Sequence, residues 1–293
     1  MPQWNLIAEK IKSKTNQDLD VTSVKKIMGG DINESYYLKS KNGAQFFIKT
    51  NAKRLVSMFA AEAEGLAAIA TSESIRVPEV IVYDQTETES FLVLEYLELC
   101  STRDHEKFGR QLAAMHRCTK SNFGWHRSNT IGSTVQINSL NPDWCEFWIN
   151  CRLRPQLAFA QSKACSHELL DLGEKLMQKS QDLFVGHKPQ SSLLHGDLWG
   201  GNASTLADGT PVIFDPAVYF GDREADLAMM ELFGGFSKEC FSAYFEVLPI
   251  DQAGYVLRKQ YYNLYHLLNH FNLFGGGYQQ RCINDMQKIL AEI

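Results

Sequence analysis

The most chemically informative part of the sequence runs from His195 to Asn202 and is followed by a second carboxylate at Asp215. An Asp in a loop after a strand, here Asp197, can accept the proton of an acceptor hydroxyl, and an Asn five residues later can offer a neutral oxygen to Mg²⁺. An Asp that ends the next strand can bridge the metal and the phosphates. The order therefore predicts phosphoryl transfer, with Asp197 as the catalytic base and Asn202 and Asp215 as metal ligands.

This order follows the logic of the protein kinase signature, in which H-R-D is followed by an Asn and later by D-F-G. The corresponding letters here are H-G-D-L-W-G-G-N and then F-D-P-A. An alternative interpretation is that Asp197 is a helix cap and that the other residues belong to turns. Caps explain such residues one at a time and do not explain their shared order, so we favour the catalytic interpretation.

A second candidate set lies in the first hundred residues. Lys49 ends the apolar run at residues 46–48 and is similar to the strand-borne Lys that holds the α- and β-phosphates of a nucleotide. A Lys at a strand end is also common as a solvated edge residue. Glu62, on the apolar face of the next predicted helix, is the predicted ion-pair partner, with Glu64 as its rival. The later residues Asp197, Asn202 and Asp215 favour the phosphate-binding role for Lys49.

Two further segments could contact a nucleotide. Gly29 and Gly30 begin a turn that also contains Asn33, and glycines there permit close approach of the backbone to phosphate. Glu95 and Leu97 lie between the two halves of the chain, where main-chain groups could bind adenine. The predicted ligands are therefore ATP and Mg²⁺.

The hydrophobic period changes along the chain in a way that predicts two lobes. Residues 1–97 contain short β-like runs, a hairpin signal at Asn42-Gly43 and helix patterns over residues 1–14 and 58–70. Helical patterns dominate residues 98–293, which also carry the candidate catalytic loop. The predicted fold class is α+β and protein-kinase-like, with a small antiparallel β-sheet N-lobe that binds nucleotide, a larger, mainly helical C-lobe, and a ligand cleft.

Composition and charge exclude several functions. The 293 residues carry a formal net charge of -5 and contain no basic run of the kind that follows a nucleic-acid backbone. The longest apolar runs are far shorter than the roughly 20 residues of a membrane helix, and no signal segment is present. Seven scattered cysteines without a C-x-x-C pair indicate reduced thiols. We expect a cytoplasmic monomer without a nucleic-acid or membrane partner.

With these motifs established, the chain resembles the fructosamine (ketosamine) kinase family, within the aminoglycoside and choline phosphotransferase-like kinases. The resemblance covers nearly the whole chain and is most specific in residues 219–236, which contain G-D-R-E-A-D-L-A-M. It implies ATP-dependent phosphorylation of a sugar hydroxyl in ketosamines, the adducts that glucose or ribose forms with amines. The phosphorylated product would fall apart and free the amine, so the implied role is deglycation repair.

Candidate substrate residues follow from position and charge. Trp199 lies two residues after the predicted base and could stack on a sugar, although it could equally anchor the loop. Asp222 and Glu224 could meet a cationic amine of a free or protein-bound substrate. Asp226 is expected instead to brace the catalytic loop through backbone hydrogen bonds.

Other functions remain open from the sequence. A choline, homoserine or aminoglycoside kinase would share the same catalytic and nucleotide residues. A catalytically silent, pseudokinase-like binding module would lack the base or a metal ligand, and neither is missing. A zinc hydrolase could use His266 and His270, one helical turn apart, but no Glu follows the first His and no third ligand is evident.

Overall fold

The computed structural model describes residues 2–16, 19–27, 32–100 and 104–293, so the predicted phosphate-loop residues Gly29 and Gly30 lie outside the described residues. The chain divides into two compact units. The first is Met1–Asp104 with Ser204–Asp215, and the second is His105–Ala203 with Pro216–Ile293. The first unit therefore extends past the predicted boundary at residue 97 and includes a segment from much later in the chain.

Helices and strands both occur in each unit, with most of the helices in the second. The helices are α1 (Trp4–Thr15), α2 (Val56–Thr71), α3 (His105–His116), α4 (Trp144–Trp148), α5 (Arg154–Ser162), α6 (His167–Lys179), α7 (Glu224–Phe233), α8 (Lys238–Val247), α9 (Gln252–Phe274) and α10 (Tyr278–Glu292). The strands are β1 (Val21–Ile27), β2 (Glu34–Ser40), β3 (Gln45–Ala52), β4 (Val80–Gln85), β5 (Glu89–Glu95), β6 (Leu99–Cys100), β7 (Thr119–Lys120), β8 (Asn129–Ile131), β9 (Thr134–Gln136), β10 (Ser191–Leu194), β11 (Ala203–Leu206), β12 (Pro211–Ile213) and β13 (Tyr219–Gly221).

A five-stranded antiparallel sheet, in the order β1-β2-β3-β5-β4, is the framework of the first unit. Side chains alternate between the two faces of each strand. Leu38 and Ile48 belong to the face that packs against Ile7 and Ile11 of α1. Lys49 follows Ile48 on β3 and therefore lies on the opposite face. The sheet thus separates its apolar core from the candidate nucleotide residue.

Local signals in the first unit predicted its elements well. β2 and β3 pair across the Asn42-Gly43 turn, with Lys39 opposite Gln45. Gly43 has a φ of +89°, which favours glycine over any residue with a side chain. The predicted helix at residues 58–70 falls within α2. These features confirm the small antiparallel sheet and the helix predicted at residues 58–70, and α1 confirms the helix predicted at residues 1–14.

Strand pairing explains why the first unit extends beyond residue 97. β6 pairs antiparallel with β11, with Thr205 opposite Cys100, and β12 completes this three-stranded sheet. The pairing holds residues after the predicted boundary to a segment that follows the catalytic loop. A boundary drawn from the local hydrophobic period could not include such a distant partner.

The second unit is mainly helical and has an aromatic core. Trp148, Tyr261 and Tyr262 are fully buried in its largest apolar cluster. The helical pattern over residues 255–293 forms two helices, because Gly275 and Gly276 adopt positive φ values at the end of α9. The helical character predicted for the C-lobe is confirmed.

The length and hydropathy of the helices also bear on membrane insertion. Among the described residues, no helix combines the length and apolar character needed to cross a bilayer.

Candidate active site

The candidate nucleotide residues of the first unit form a buried ion-pair network. Lys49 Nζ lies 2.6 Å from Glu62 Oε1 on α2 and 2.5 Å from Asp215 Oδ1. The side chain of Lys49 is 5% exposed and that of Glu62 is 11% exposed, whereas that of Asp215 is 44% exposed. The predicted ion pair therefore forms with Glu62 and not with its rival Glu64.

Opposing effects set the charges in this network. Burial alone would lower the pKa of Lys49, but the charges of Asp215 and Glu62 outweigh it and raise that pKa above its usual value. Burial raises the pKa of Glu62; Lys49 opposes this effect and Asp215 adds to it. Lys49 is consequently a cation throughout the physiological pH range, as a phosphate-binding lysine must be.

Asp215 adopts an unusual backbone conformation just after β12. Its φ is +58°, in the left-handed region that only a few per cent of non-glycine residues occupy. Such conformations cost free energy and are concentrated at functional sites. The conformation directs the Asp215 carboxylate to Lys49, which supports a functional interpretation of the turn.

The other predicted nucleotide contacts of the first unit have varied surroundings. Asn33 Oδ1 accepts a hydrogen bond from Asn51 Nδ2 at 2.7 Å, which ties its turn to β3. Glu95 ends β5, and its carboxylate forms an ion pair with Arg76. Leu97 follows the end of that strand and is half-buried. The main-chain contacts of Glu95 and Leu97 with adenine stay predictions.

The second unit holds the catalytic loop after β10. Asn202 donates from Nδ2 to the Asp197 carbonyl at 2.9 Å and to Asp197 Oδ2 at 3.3 Å. The Asp197 N–H lies 3.2 Å from His195 Nδ1. The predicted base and the predicted metal ligand are therefore in direct contact, and the loop orients the base through its own side chains.

Asp226, in the first turn of α7, braces this loop as predicted. Its Oδ2 accepts the His195 N–H at 2.7 Å, and its Oδ1 accepts the Gly196 N–H at 2.9 Å. His116 Nε2 lies 3.2 Å from the same carboxylate, and His116 Nδ1 lies 2.7 Å from Tyr244 Oη. Burial would raise the pKa of Asp226, but the hydrogen bond from His116 and its charge outweigh that effect and lower it.

Sequence reasoning assigned no role to His116 or Tyr244. His116 ends the apolar run at residues 112–115, and a polar residue closing such a run was the only available signal. Both side chains are buried in the second unit. A buried polar residue needs a partner, but the sequence does not say which one.

Asp222 and Glu224 are buried and have internal partners. Asp222 Oδ2 lies 2.6 Å from both His187 Nε2 and Tyr262 Oη. Glu224 forms a bidentate pair with Arg258, with N–O distances of 2.8 and 3.0 Å. Burial alone would raise the pKa of Asp222, but the hydrogen bonds and charge of His187 lower it, whereas burial raises the pKa of Glu224 despite Arg258. These pairings engage both carboxylates inside the second unit, which disfavours the substrate role predicted for Asp222 and Glu224.

One group of potential metal ligands occurs among the described residues. His187, Asp222 and Glu224 offer ligand atoms within 4.8 Å of one another. The guanidinium of Arg258 neutralises Glu224, which disfavours a second cation there. His266 and His270 do not belong to this group, and His270 Nδ1 lies 2.8 Å from the main-chain oxygen of His266. The geometry therefore does not support the zinc hydrolase alternative.

Trp199 lies at the surface of the catalytic loop. The residue is 41% exposed, and a Cβ on Gly201 would come within 2.3 Å of its ring. The N–H of Gly200 donates to the Gly234 carbonyl at 3.0 Å, which ties this turn to the end of α7. One face of the indole thus packs on the loop, while much of the ring is accessible to a ligand.

Asn202 and Asp215 each carry the donor atoms that Mg²⁺ prefers. Asn202 uses Nδ2 within its loop, so its Oδ1 is the atom suited to coordination. Asp215 uses Oδ1 for Lys49 and has its second carboxylate oxygen for a metal. In donor chemistry, each residue fits the metal-binding role predicted from the sequence.

The fold and these residues define a protein-kinase-like phosphotransferase. The crystal structure of a macrolide 2'-phosphotransferase from Brachybacterium faecium matches the chain with a TM-score of 0.60 and 14% identity, over 96% of this chain and 97% of that one. At this identity the likeness concerns the fold alone.

The chain belongs to the fructosamine kinase family, whose model matches residues 3–292. It is 42% identical over 292 residues to a probable ketoamine kinase of Synechocystis sp., covering 98% of this chain and 97% of the relative. It is 43% identical over 268 residues to a chloroplastic protein-ribulosamine 3-kinase of Oryza sativa subsp. indica, covering 90% and 78%. The crystal structure of a candidate fructosamine-3-kinase from Haemophilus somnus matches with a TM-score of 0.89 and 29% identity, covering 98% and 97%. The family resemblance is therefore confirmed.

Proposed function

We propose that this chain is an ATP-dependent kinase that phosphorylates a sugar hydroxyl of ketosamines and thereby starts the repair of glycated amines. The observation that carries the proposal is the family match over residues 3–292, a range that contains the candidate phosphoryl-transfer residues Lys49, Asp197, Asn202 and Asp215. The acceptors are free or protein-bound adducts of the fructosamine and ribulosamine type. The enzyme acts in the cytoplasm.

Each of the two units supplies residues to the proposed mechanism. In the first, Lys49 binds the α- and β-phosphates of ATP while Glu62 holds its side chain in place. In the second, Asp197 accepts the proton of the acceptor hydroxyl as that oxygen attacks the γ-phosphorus, the bond from that phosphorus to the β,γ-bridging oxygen breaks, and ADP leaves. Asn202 donates to Asp197 and thereby orients the carboxylate.

Asn202 and Asp215 would each offer an oxygen ligand to Mg²⁺. When bound, the ion neutralises charge on the phosphate oxygens. Trp199 is the proposed acceptor contact, since its exposed indole can stack on the apolar face of a sugar.

The substrate assignment is tested by measuring Mg²⁺-dependent ADP release with fructoselysine, ribuloselysine, choline, homoserine and an aminoglycoside. We expect selective turnover of one or both ketosamines. Turnover of only another acceptor would overturn the substrate assignment and leave the kinase chemistry intact. No turnover of any acceptor by a protein that binds ATP would favour the binding-module alternative.

The catalytic roles are tested by Asp197→Ala and Asp215→Ala. Each substitution should lower kcat by about 10³-fold or more with the fold intact, because one removes the base and the other a metal ligand. Asp208→Ala, in the turn between β11 and β12, is the matched control and should keep kcat within about twofold of the wild type. Full activity in either active-site variant would contradict the assigned role.

A further inference from the structure

Two buried amide side chains connect the β8–β9 hairpin to the backbone beside the catalytic loop. Asn129 Nδ2 donates to the Val218 carbonyl at 2.8 Å, and Gln136 Nε2 donates to the Ala217 carbonyl at 2.9 Å. The N–H of Ala217 in turn donates to the His195 carbonyl at 2.8 Å. The hairpin therefore fixes a segment that is itself bonded to the catalytic loop.

Residues 217–218 pack tightly against the catalytic loop and leave no space for a side chain at Gly196. Gly196 has a φ of +81°, and a Cβ on it would lie 2.2 Å from the Ala217 carbonyl oxygen. Backbone therefore lies directly against backbone at the residue before Asp197. Since packed backbone deforms little, a displacement of Ala217 is passed on to the position of the base.

The amides also bind one another and a buried arginine. Asn129 Oδ1 accepts hydrogen bonds from Gln136 Nε2 and Asn138 Nδ2, both at 2.8 Å. Arg152 donates from Nη2 to Asn138 Oδ1 at 2.9 Å and from Nη1 to the Ile137 carbonyl at 2.6 Å. The hairpin and the segment after it are consequently held as one polar network.

Arg152 is fully buried, yet its hydrogen-bond partners are neutral oxygens. In the described part of the chain, no carboxylate lies within ion-pair distance of it. Its guanidinium lies 4.0 Å from the centroid of the Tyr219 ring and 4.9 Å from that of Phe147. It belongs to a π-helical turn, Ile149–Leu153, a conformation that is frequent at functional sites. An unpaired buried charge is costly, which makes Arg152 a candidate for a role other than stability.

We propose that Asn129, Gln136 and Arg152 are positioning residues for phosphoryl transfer. Asn129 and Gln136 fix the carbonyls of Val218 and Ala217, and Arg152 holds Asn138, which is itself bonded to Asn129. Through Ala217, these contacts fix the backbone that carries Asp197. The inference rests on the proposed role of Asp197 as the base. It assigns the hairpin a part in the reaction, although the hairpin supplies no group to the reacting atoms.

The test uses substitutions that keep the size of the side chain and replace its donor amide with a carboxyl group. Asn129→Asp and Gln136→Glu retain an acceptor oxygen but place a second oxygen against a backbone carbonyl. We expect kcat to fall about 10- to 100-fold, because small misplacements of a base have effects of this size. The Kd for a non-hydrolysable ATP analogue, measured by calorimetry, should stay within about twofold, because Lys49 and Glu62 are unchanged.

Asn272→Asp is the matched control. Asn272 is also buried and donates from Nδ2 to a main-chain carbonyl, that of Gln156, at 3.0 Å. The substitution Asn272→Asp makes the same chemical change in the second unit, at a residue that does not bond to the catalytic loop. After correction for the folded fraction by urea unfolding, its kcat should match that of the wild type.

A graded series separates positioning from general loss of structure. Asn129→Ala removes the donor without adding a repelling oxygen, so its kcat should lie between those of the wild type and Asn129→Asp. The inference is overturned if the two acidic variants keep kcat within about threefold of the wild type, or if Asn272→Asp loses as much per folded molecule. A wrong substrate would show as an inactive wild type, whereas a wrong positioning role would show as active variants.

Discussion

At the level of single side chains, the two carboxylates that flank Lys49 differ in exposure. The side chain of Glu62 is 11% exposed and that of Asp215 is 44% exposed, so water screens the pair with Glu62 less. Glu62 therefore holds the ammonium group in position. Asp215, nearer to solvent, is better suited to contact a metal ion.

Glu62→Gln tests this division of roles. The substitution removes one of the two charges that position Lys49, so we expect kcat/KM for ATP to fall about 10- to 100-fold. Steady-state titrations with ATP at saturating acceptor measure the effect. Glu64→Gln on the same helix is the control and should stay within about twofold. Equal values of kcat/KM for ATP in Glu62→Gln and Glu64→Gln would contradict the role of Glu62.

His266 provides a pH-dependent prediction at the same scale. Burial lowers its pKa to about 3, and the neighbouring His270 acts in the same direction. The unfolded chain, with a His pKa near 6.5, therefore binds a proton between these values that the folded chain does not. Stability is complete above the unfolded pKa and falls as the pH drops below it. We expect a loss of about 2 kcal/mol in the free energy of unfolding between about pH 7.5 and about pH 5.

The contribution of His266 is measured by urea unfolding at both pH values. His266→Asn removes the titrating group and should make the loss clearly smaller. Burial also lowers the pKa of His270. The stability of His266→Asn should therefore still fall as the pH drops, but by less. The pKa of Asp226 is lowered below its usual value, so this carboxylate titrates at more acid pH, outside this window. An unchanged pH dependence in the variant would refute the assignment.

Order along the chain was enough to predict some functional residues and not others. Asp197, Asn202 and Asp215 were predicted as site residues because phosphoryl transfer requires these residue types in this order. Gln136 and Arg152 were not found, because a buried polar residue acquires its role only from its tertiary partners. Gln136, for example, acts on Ala217, far along the sequence.

At the level of elements, α3 and α8 pack so closely that a helix residue has no room for a side chain. A Cβ on Gly109 of α3 would lie 2.1 Å from the carbonyl oxygen of Cys240 on α8. Backbone cannot move aside as a side chain can. The same pair of helices carries His116 and Tyr244, so this approach supports the brace on the catalytic loop.

Gly109→Ala should destabilise the protein by about 2 to 3 kcal/mol, since overpacking against backbone outweighs the gain in helix propensity. Gly173→Ala on α6 is the matched control. Its Cβ would meet Leu157 Cδ1 at 2.6 Å, a side-chain atom that can turn away. We expect the control to stay within about 1 kcal/mol of the wild type in urea unfolding. Equal stability of both variants would show that the helices can separate at little cost.

Elements with strong local signals were predictable, whereas those created by pairing were not. The five strands of the main sheet and α2 have clear hydrophobic periods and turn residues. β6 has only two residues and exists because Thr205 lies opposite Cys100. The π-helical turn that contains Arg152 has no sequence signature either. Such elements depend on distant contacts that local patterns do not encode.

At the level of the whole molecule, exposed large apolar residues occur in both units. Examples from distant parts of the chain are Leu6, Tyr83, Val185 and Phe274. Large contiguous apolar patches are typical of stable interfaces, whereas single exposed apolar residues are normal on monomers. The formal charge of -5 also opposes self-association.

We therefore predict a monomer of 33.2 kDa in solution, as sedimentation velocity would measure. The mass should not change with protein concentration in the micromolar range. A concentration-dependent dimer would contradict this prediction. The exposed residues Val135 and Leu140 beside the hairpin would then be the first to replace with polar residues.

The burial of Lys49 has a further consequence for an enzyme that works among reducing sugars. Sugar aldehydes modify lysines by reacting with the unprotonated amine, whose lone pair attacks the carbonyl carbon. The Lys49 amine is buried, and the flanking carboxylates keep it protonated. A repair kinase of this architecture thus shields its candidate phosphate-binding amine from the damage that it reverses in other molecules.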